Sequence, residues 1–150
     1  MRQSRVFGRL LGFEKCVIEG VEFEADGALV VRARPTAREA SRCGVCRRRA
    51  PGYDQGVGVR EWRALDFAAT RVVIRGRAPR VRCRRHGVVV AAVPWARHGA
   101  RHTRGFEDLT AWAATQLSGS AAAELLRIGW RTVGAIVQWA CPRFCVRGWS

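Results

Sequence analysis

Two short stretches, Cys43-Gly-Val-Cys46 and Cys83-Arg-Arg-His86, decide how the first half of this chain folds. In each stretch two residues separate a pair of metal-binding side chains, so that one tight loop can present both to a single ion. Together the two pairs supply the three thiolates and one imidazole of a closed, structural zinc site. The 36 residues between the pairs exceed the usual spacing of a zinc ribbon. The alternative interpretation is reduced, partly buried cysteines beside a histidine without a metal role.

The charge of the chain is strongly positive and unevenly distributed. Lys and Arg number 27 against 12 acids, which gives a net charge of +15, and Lys15 is the only lysine. Residues 35–104 alone hold 17 arginines and four acids. A field of this sign favours a polyanionic partner, and the planar guanidinium group can bond two phosphate or base acceptors at once. A codon-usage bias toward arginine would not confine the excess to one segment, so we expect a nucleic-acid partner.

Membrane and secreted locations are both disfavoured by the sequence. No stretch reaches the roughly 18–20 apolar residues that a membrane span needs. The N-terminus has no sustained apolar core and no cleavage-like site. Six cysteines in a chain that is not secreted are typical of metal ligands and free thiols rather than disulfides. We therefore expect a cytoplasmic protein with no membrane partner.

Residues 1–96 have the alternating pattern of β-strands. Residues 16–34 predict a hairpin with a two-residue turn at Asp26-Gly27. Further strands are predicted over 57–67, 71–77, 80–85 and 88–93. On these strands arginines alternate with apolar residues, which predicts a wet, basic face for DNA phosphates that includes Arg75, Arg77, Arg80 and Arg82.

After Trp95 the pattern becomes helical. Thr103 is a predicted N-cap for a helix over 104–117, and a short helix over 121–126 and a turn over 127–129 follow. A last helix is predicted from Trp130 to about Ala140, with Pro142 ending it. The apolar spacing is typical of a helix-turn-helix, although an ordinary helical hairpin has a similar pattern. The last helix would present its outward-facing residues to DNA, namely Trp130, Arg131, Thr132, Ala135 and Gln138.

The predicted fold class is α+β. A small β-rich zinc-binding N-terminal domain over 1–96 is followed by a three-helix helix-turn-helix domain over 97–141 and by an aberrant tail over 142–150. Cys141 and Cys145 are interpreted as incidental thiols, with half of a second metal site as the alternative. His98 and His102 are interpreted as histidines of the connector rather than as ligands.

Five stretches of the chain, in the same order, resemble the N-terminal half of bacterial insertion-sequence transposases of the ISL3 family. The resemblance spans roughly residues 10–140 and implies a cysteine-rich zinc-finger region followed by a helix-turn-helix. In that family the fourth metal position is often Cys, and His86 keeps a zinc ligand there. The matching stretches are residues 60–66, 72–83, 93–96, 103–109 and 128–133.

The resemblance also sets expectations about activity and partners. Family members continue into a catalytic domain that uses an Asp-Asp-Glu set, whereas beyond residue 66 the only acids here are Glu107, Asp108 and Glu124. We expect a truncated transposase that is not an enzyme by itself and that recognises the terminal inverted repeats of a transposon as double-stranded DNA. A second copy or a full-length transposase is the candidate protein partner. The alternatives are an autonomous helix-turn-helix regulator and a zinc-ribbon RNA-binding module.

Overall fold

The computed structural model describes the backbone of residues 3–146 and the side chains of residues 5–140, and it confirms the mixed α+β class. The chain divides into two units between Thr103 and Arg104. No helix of the described residues is long and apolar enough to cross a membrane. The first unit holds α1 (Gln3–Leu11), β1 (Cys16–Phe23), β2 (Leu29–Pro35), α2 (Ala37–Ala40), β3 (Gly52–Asp54), β4 (Val59–Phe67), β5 (Thr70–Arg77), β6 (Arg80–Cys83) and β7 (Gly87–Val90). The second unit holds α3 (Arg104–Gln116), α4 (Gly119–Leu126) and α5 (Trp130–Val146).

A four-stranded sheet in the order β1-β2-β5-β4 forms the centre of the first unit. Its two hairpins, β1–β2 and β4–β5, are antiparallel and join through a parallel pairing of β2 with β5. Alternation places Val72 and Ile74 in the core, beside an edge-to-face contact of the Trp62 and Trp95 rings at 5.3 Å. Both tryptophans are therefore core residues of this sheet.

The β1–β2 hairpin is confirmed, but its predicted two-residue turn is wrong. Phe23 and Leu29 are the last paired residues, so the loop runs over 24–28. Asp26 Oδ1 accepts a hydrogen bond from Ala28 N–H at 3.0 Å, and Gly27 N–H donates to Glu24 O at 2.9 Å. These local bonds, together with a φ of +81° at Gly27, stabilise a wider loop.

A second, three-stranded sheet in the order β3-β6-β7 is built from segments on either side of β4 and β5. The β4–β5 hairpin, which belongs to the larger sheet, therefore lies in the chain between the two metal-binding pairs. This insertion accounts for the unusually long spacing of the pairs. The smaller sheet has its own core of Cys43, Ala50, Val81, Cys83 and Ala91.

Residues 97–103 belong to the first unit, although the sequence pattern grouped them with the helices. Arg63 N–H donates to Arg101 O and Thr103 N–H donates to Arg63 O, both at 2.9 Å. Ala100 lies in the core of the larger sheet. These bonds extend the free edge of β4, so the chain divides after Thr103 rather than after residue 96.

The three helices of the second unit surround an apolar core of their own. Ser118 caps α4, since its Oγ accepts a hydrogen bond from Ala121 N–H at 3.2 Å. Arg127 ends α4 in the left-handed region at φ 53° and ψ 46°, and α5 begins three residues later. The core consists of Phe106, Ala113, Ala122, Ala123, Leu126, Val133 and Ile136.

The prediction that Pro142 ends the last helix is wrong. The backbone of α5 continues through Pro142 to Val146. A proline removes one hydrogen bond of the helix, but its fixed φ near −65° is itself helical. The predicted tail over 142–150 thus begins as helix, and its remainder, with the side chains of Cys141 and Cys145, lies outside the described residues.

Candidate metal centre and nucleic-acid interface

Two matching loops deliver the four metal-binding side chains. In the first, Cys43 N–H donates to Arg48 O and Arg47 N–H donates to Cys43 O, both at 2.9 Å. In the second, the β6–β7 hairpin pairs Cys83 with Gly87. The residue after each pair, Arg47 or Gly87, has a positive φ of 64° or 70°. This left-handed residue closes each loop tightly enough for both ligands to face the same point.

The four ligand atoms are spaced as the corners of a tetrahedron around zinc. Cys43 Sγ and Cys83 Sγ each lie 3.6 Å from His86 Nδ1, and Cys46 Sγ lies 3.8 Å from Cys83 Sγ. Zinc bonds of about 2.3 Å to sulfur and about 2.0–2.1 Å to nitrogen give S···S edges of about 3.8 Å and S···N edges of about 3.5 Å. The observed distances fit this geometry, and all four atoms lie within 4.8 Å of one another. The predicted ligand set is therefore brought together, and the chain binds structural zinc.

The protein backbone favours a thiolate at one of these cysteines. The N–H groups of Arg85 and His86 point at Cys83 Sγ and, with lesser contributions from His86 and Cys43, lower the pKa of that thiol to about 6. Burial instead raises the pKa of Cys43. Zinc binds the thiolate form, so Cys83 is prepared for the ion whereas Cys43 ionises when the ion arrives. Both sulfurs are buried, as expected for a zinc that organises a fold rather than catalyses.

A buried acid, Glu39 of α2, supports the first metal loop. It is 3 % exposed and contacts three cations: Arg47 Nη2 at 2.7 Å, Arg42 Nε at 3.6 Å and Lys15 Nζ at 3.9 Å. Arg42 and Arg47 flank Cys43–Cys46, and Arg42 Nη1 also donates to Arg47 O at 2.9 Å. No motif in the sequence singles out Glu39, although a lone acid in a segment rich in arginine is a usable signal.

The four arginines predicted to contact phosphate lie in three different environments. Arg75 lies on the larger sheet, where Nε donates to Glu61 at 2.7 Å and Nη2 to Glu24 at 2.8 Å. Arg80 is paired with Asp54, through Nε at 2.8 Å and through Nη2. Arg77 is exposed at the end of β5, and Arg82 is exposed with its guanidinium over the ring of Tyr53. Neither Arg77 nor Arg82 forms an ion pair with a residue between 5 and 140.

The residues predicted to read DNA bases lie on the outward side of α5. Val133, Ile136 and Ala140 are buried, whereas Trp130 is 67 % exposed. The Arg131 guanidinium lies 5.4 Å from the centre of the Trp130 ring. Arg131, Ala135 and Gln138 are exposed as well, and Thr132 is half-buried. The structure thus gathers this set on one helix face after a three-residue turn.

The two connector histidines are not brought together with the zinc ligands. The exposed His98 packs against Gly44, where a Cβ atom would approach His98 Nδ1 to 2.7 Å. His102 pairs with Arg63 along the edge of β4, and burial, followed by the charges of Arg63, Arg97 and Arg101, lowers its pKa. Among the described residues the only metal-binding group of three or more His, Cys, Asp or Glu side chains is the Cys₃His set.

Comparisons with known proteins match both halves of this arrangement. The zinc-finger of transposase IS204/IS1001/IS1096/IS1165 matches residues 39–86, and the helix-turn-helix domain of transposase family ISL3 matches residues 91–138. The transposases for insertion sequence element IS1557 from two strains of Mycobacterium tuberculosis, CDC 1551 / Oshkosh and ATCC 25618 / H37Rv, are each 50 % identical over 148 residues. The alignments cover 93 % of this chain and 33 % of each relative, so the chain spans about a third of their length. No solved structure matches.

Proposed function

Since the chain belongs to the ISL3 family of transposases, it binds DNA, and we propose that it recognises the terminal inverted repeats of its insertion element. The helix-turn-helix and zinc-finger matches favour this function over an autonomous regulator or an RNA-binding module. The same matches support a cytoplasmic location for the chain, because the DNA lies in the cytoplasm. A second copy or a full-length transposase remains the proposed protein partner.

The outward face of α5 is the observation that carries the proposal. Arg131 and Thr132 lie in the first turn of a helix whose opposite face is buried. In helix-turn-helix proteins the first residues of the recognition helix reach base edges in the major groove. Arginine bonds the O6 and N7 acceptors of guanine at the same time, a pattern that distinguishes one base pair from the others. Arg131 is therefore the proposed base-reading residue.

Substitution of Arg131 tests this role. Arg131→Ala should weaken binding to the inverted repeat by about 1–3 kcal/mol and should barely affect a scrambled duplex, because only the repeat offers the base contact. The measurement is a titration of both duplexes by fluorescence anisotropy. Arg71→Ala is the matched control, since Arg71 is paired with Asp26 at 3.0 Å on the larger sheet. Equal weakening of both duplexes by Arg131→Ala would show that α5 is not a recognition helix.

We also propose that the chain does not cut or join DNA by itself. Glu107, Asp108 and Glu124, its acids beyond residue 66, lie on helices α3 and α4. Among the described residues they belong to no cluster that could hold a divalent ion. Strand transfer of element ends by purified protein in Mg²⁺ or Mn²⁺, retained through independent preparations, would refute the proposal.

A further inference from the structure

The two sheets of the first unit carry very different charge. The strands and turns of the larger sheet, residues 16–35 and 59–77, contain seven arginines and six acids. The segments of the smaller sheet and the metal loops, residues 41–58 and 78–92, contain eight arginines and one aspartate. In the larger sheet the acids are paired with arginines of the same sheet, namely Arg32, Arg34, Arg63, Arg71 and Arg75. Of the two sheets, the smaller one therefore carries most of the net positive charge.

One face of the smaller sheet concentrates this charge around an aromatic ring. Along β6, Val81 and Cys83 are buried, while Arg80 and Arg82 alternate with them on the outer side; Arg84 is exposed in the turn that follows the strand. Tyr53 of β3 is 48 % exposed on the same face. The guanidinium carbons of Arg80 and Arg82 lie 5.4 Å and 5.0 Å from the centre of its ring. We call Tyr53, Arg80, Arg82 and Arg84 the ribbon face.

The arginines of the ribbon face are held in different ways. The charge of Arg80 is neutralised by Asp54, which contacts two of its nitrogens. Arg82 and Arg84 make no ion pair with any residue between 5 and 140. The Tyr53 ring restricts the motion of the Arg82 guanidinium without cancelling its charge. A cation that is already ordered loses less side-chain freedom when it binds a phosphate.

We propose that the ribbon face binds the phosphate backbone of duplex DNA through Arg82 and Arg84, with Tyr53 as the positioning residue for Arg82. This inference rests on the proposed DNA binding and assigns its backbone contacts to one of the two sheets. Duplex DNA is favoured over single strands because the Tyr53 ring is already stacked against two guanidinium groups, whereas single-strand sites offer free aromatic faces to unpaired bases. Arg75, held by two carboxylates, then has a structural role.

The experiment measures the salt dependence of binding by the zinc-loaded full chain on the inverted repeat and on a scrambled duplex. Arg82→Ala and Arg84→Ala should each weaken binding to both duplexes and reduce the slope of log K against log salt by about 0.9, the value of one lost phosphate contact. Tyr53→Leu should keep the slope and weaken binding about 2- to 5-fold, since only the ordering of Arg82 is lost. Tyr53→Phe, which retains the ring, should bind as the wild type does, and Arg75→Ala should leave the slope unchanged.

Several results would overturn the inference. If Arg82→Ala and Arg84→Ala both keep the wild-type salt slope, and zinc content and circular dichroism show that they are folded, these arginines do not contact phosphate. If Tyr53→Phe binds DNA as weakly as Tyr53→Leu does, the aromatic ring does not position Arg82. Tighter binding of single-stranded DNA or RNA than of duplex would exclude the chosen partner. If the ribbon-face variants bind like the wild type while Arg131→Ala still weakens binding to the inverted repeat, only the assignment of phosphate contacts to the ribbon face fails. If the wild-type protein binds no duplex at all, the proposed function itself is refuted.

Discussion

Glu39 shows why charge counting alone misleads in this chain. Burial excludes water from its carboxylate, which is stabilised by Arg42 and Arg47 on either side of the first metal loop. The four zinc ligands could be predicted from sequence because their chemistry and spacing are local. Glu39 and Tyr53 could not, because their roles depend on partners that only the folded chain brings near.

Removing the charge of Glu39 should loosen the metal loop. Glu39→Gln keeps the shape of the side chain but leaves Arg42 and Arg47 without their carboxylate, so we expect a loss of about 2 kcal/mol in the free energy of unfolding. Zinc affinity, measured by competition with a colorimetric chelator, should fall in parallel.

Glu19→Gln is the matched control for this change. Glu19 pairs with Arg34 at 3.0 Å, and both side chains are about half exposed, so its loss should cost under about 1 kcal/mol. An unchanged zinc affinity in Glu39→Gln would contradict a supporting role for the buried acid.

The helical unit could be predicted more completely from sequence than the sheets. The contacts of α4 and α5 arise from apolar residues a few positions apart, including Leu126, Ile128 and Val133. The parallel pairing of β2 with β5 joins strands separated by α2, the first metal loop, β3 and β4, and no local pattern encodes it. The end of α5 was missed because Pro142 tolerates helical backbone on its C-terminal side.

The residue that ends α4 has a strained backbone conformation. Arg127 occupies a left-handed conformation in which a Cβ atom is unfavourable. Arg127→Gly should therefore raise the free energy of unfolding of the helical unit by about 1 kcal/mol, measured by urea denaturation.

Gly129→Ala serves as a comparison for Arg127→Gly. Gly129 has no positive φ, and a Cβ atom added there would meet only Thr132 Oγ1, at 3.8 Å. Gly129→Ala should therefore not raise the free energy of unfolding as Arg127→Gly does. A destabilised Arg127→Gly would mean that contacts of the arginine side chain outweigh the backbone strain.

The two units should respond differently to loss of zinc. The metal loops and the smaller sheet share one core, whereas the helices have a separate core without any zinc ligand. Removal of zinc should therefore unfold the metal loops and the smaller sheet and leave α3–α5 folded. Amide signals in NMR spectra, recorded before and after addition of a strong chelator, would show the difference.

We expect the amide signals of residues 41–58 and 78–92 to lose their chemical-shift dispersion and those of residues 104–140 to change little. Cys83→Ser should reproduce the effect without a chelator, because it removes a ligand of the same centre. Unfolding of the helices in step with the zinc site would show that the two units depend on each other.

The position of the β4–β5 hairpin between the two metal loops has a consequence for the order of events on the ribosome. Cys83 follows Cys46 by 37 positions, which at 5–20 residues per second corresponds to roughly 2–7 s of translation. During that interval the nascent chain holds two of the four zinc ligands and no complete metal site. The zinc centre is therefore completed only after the hairpin has been synthesised, and metal capture is a late step in the biogenesis of the first unit.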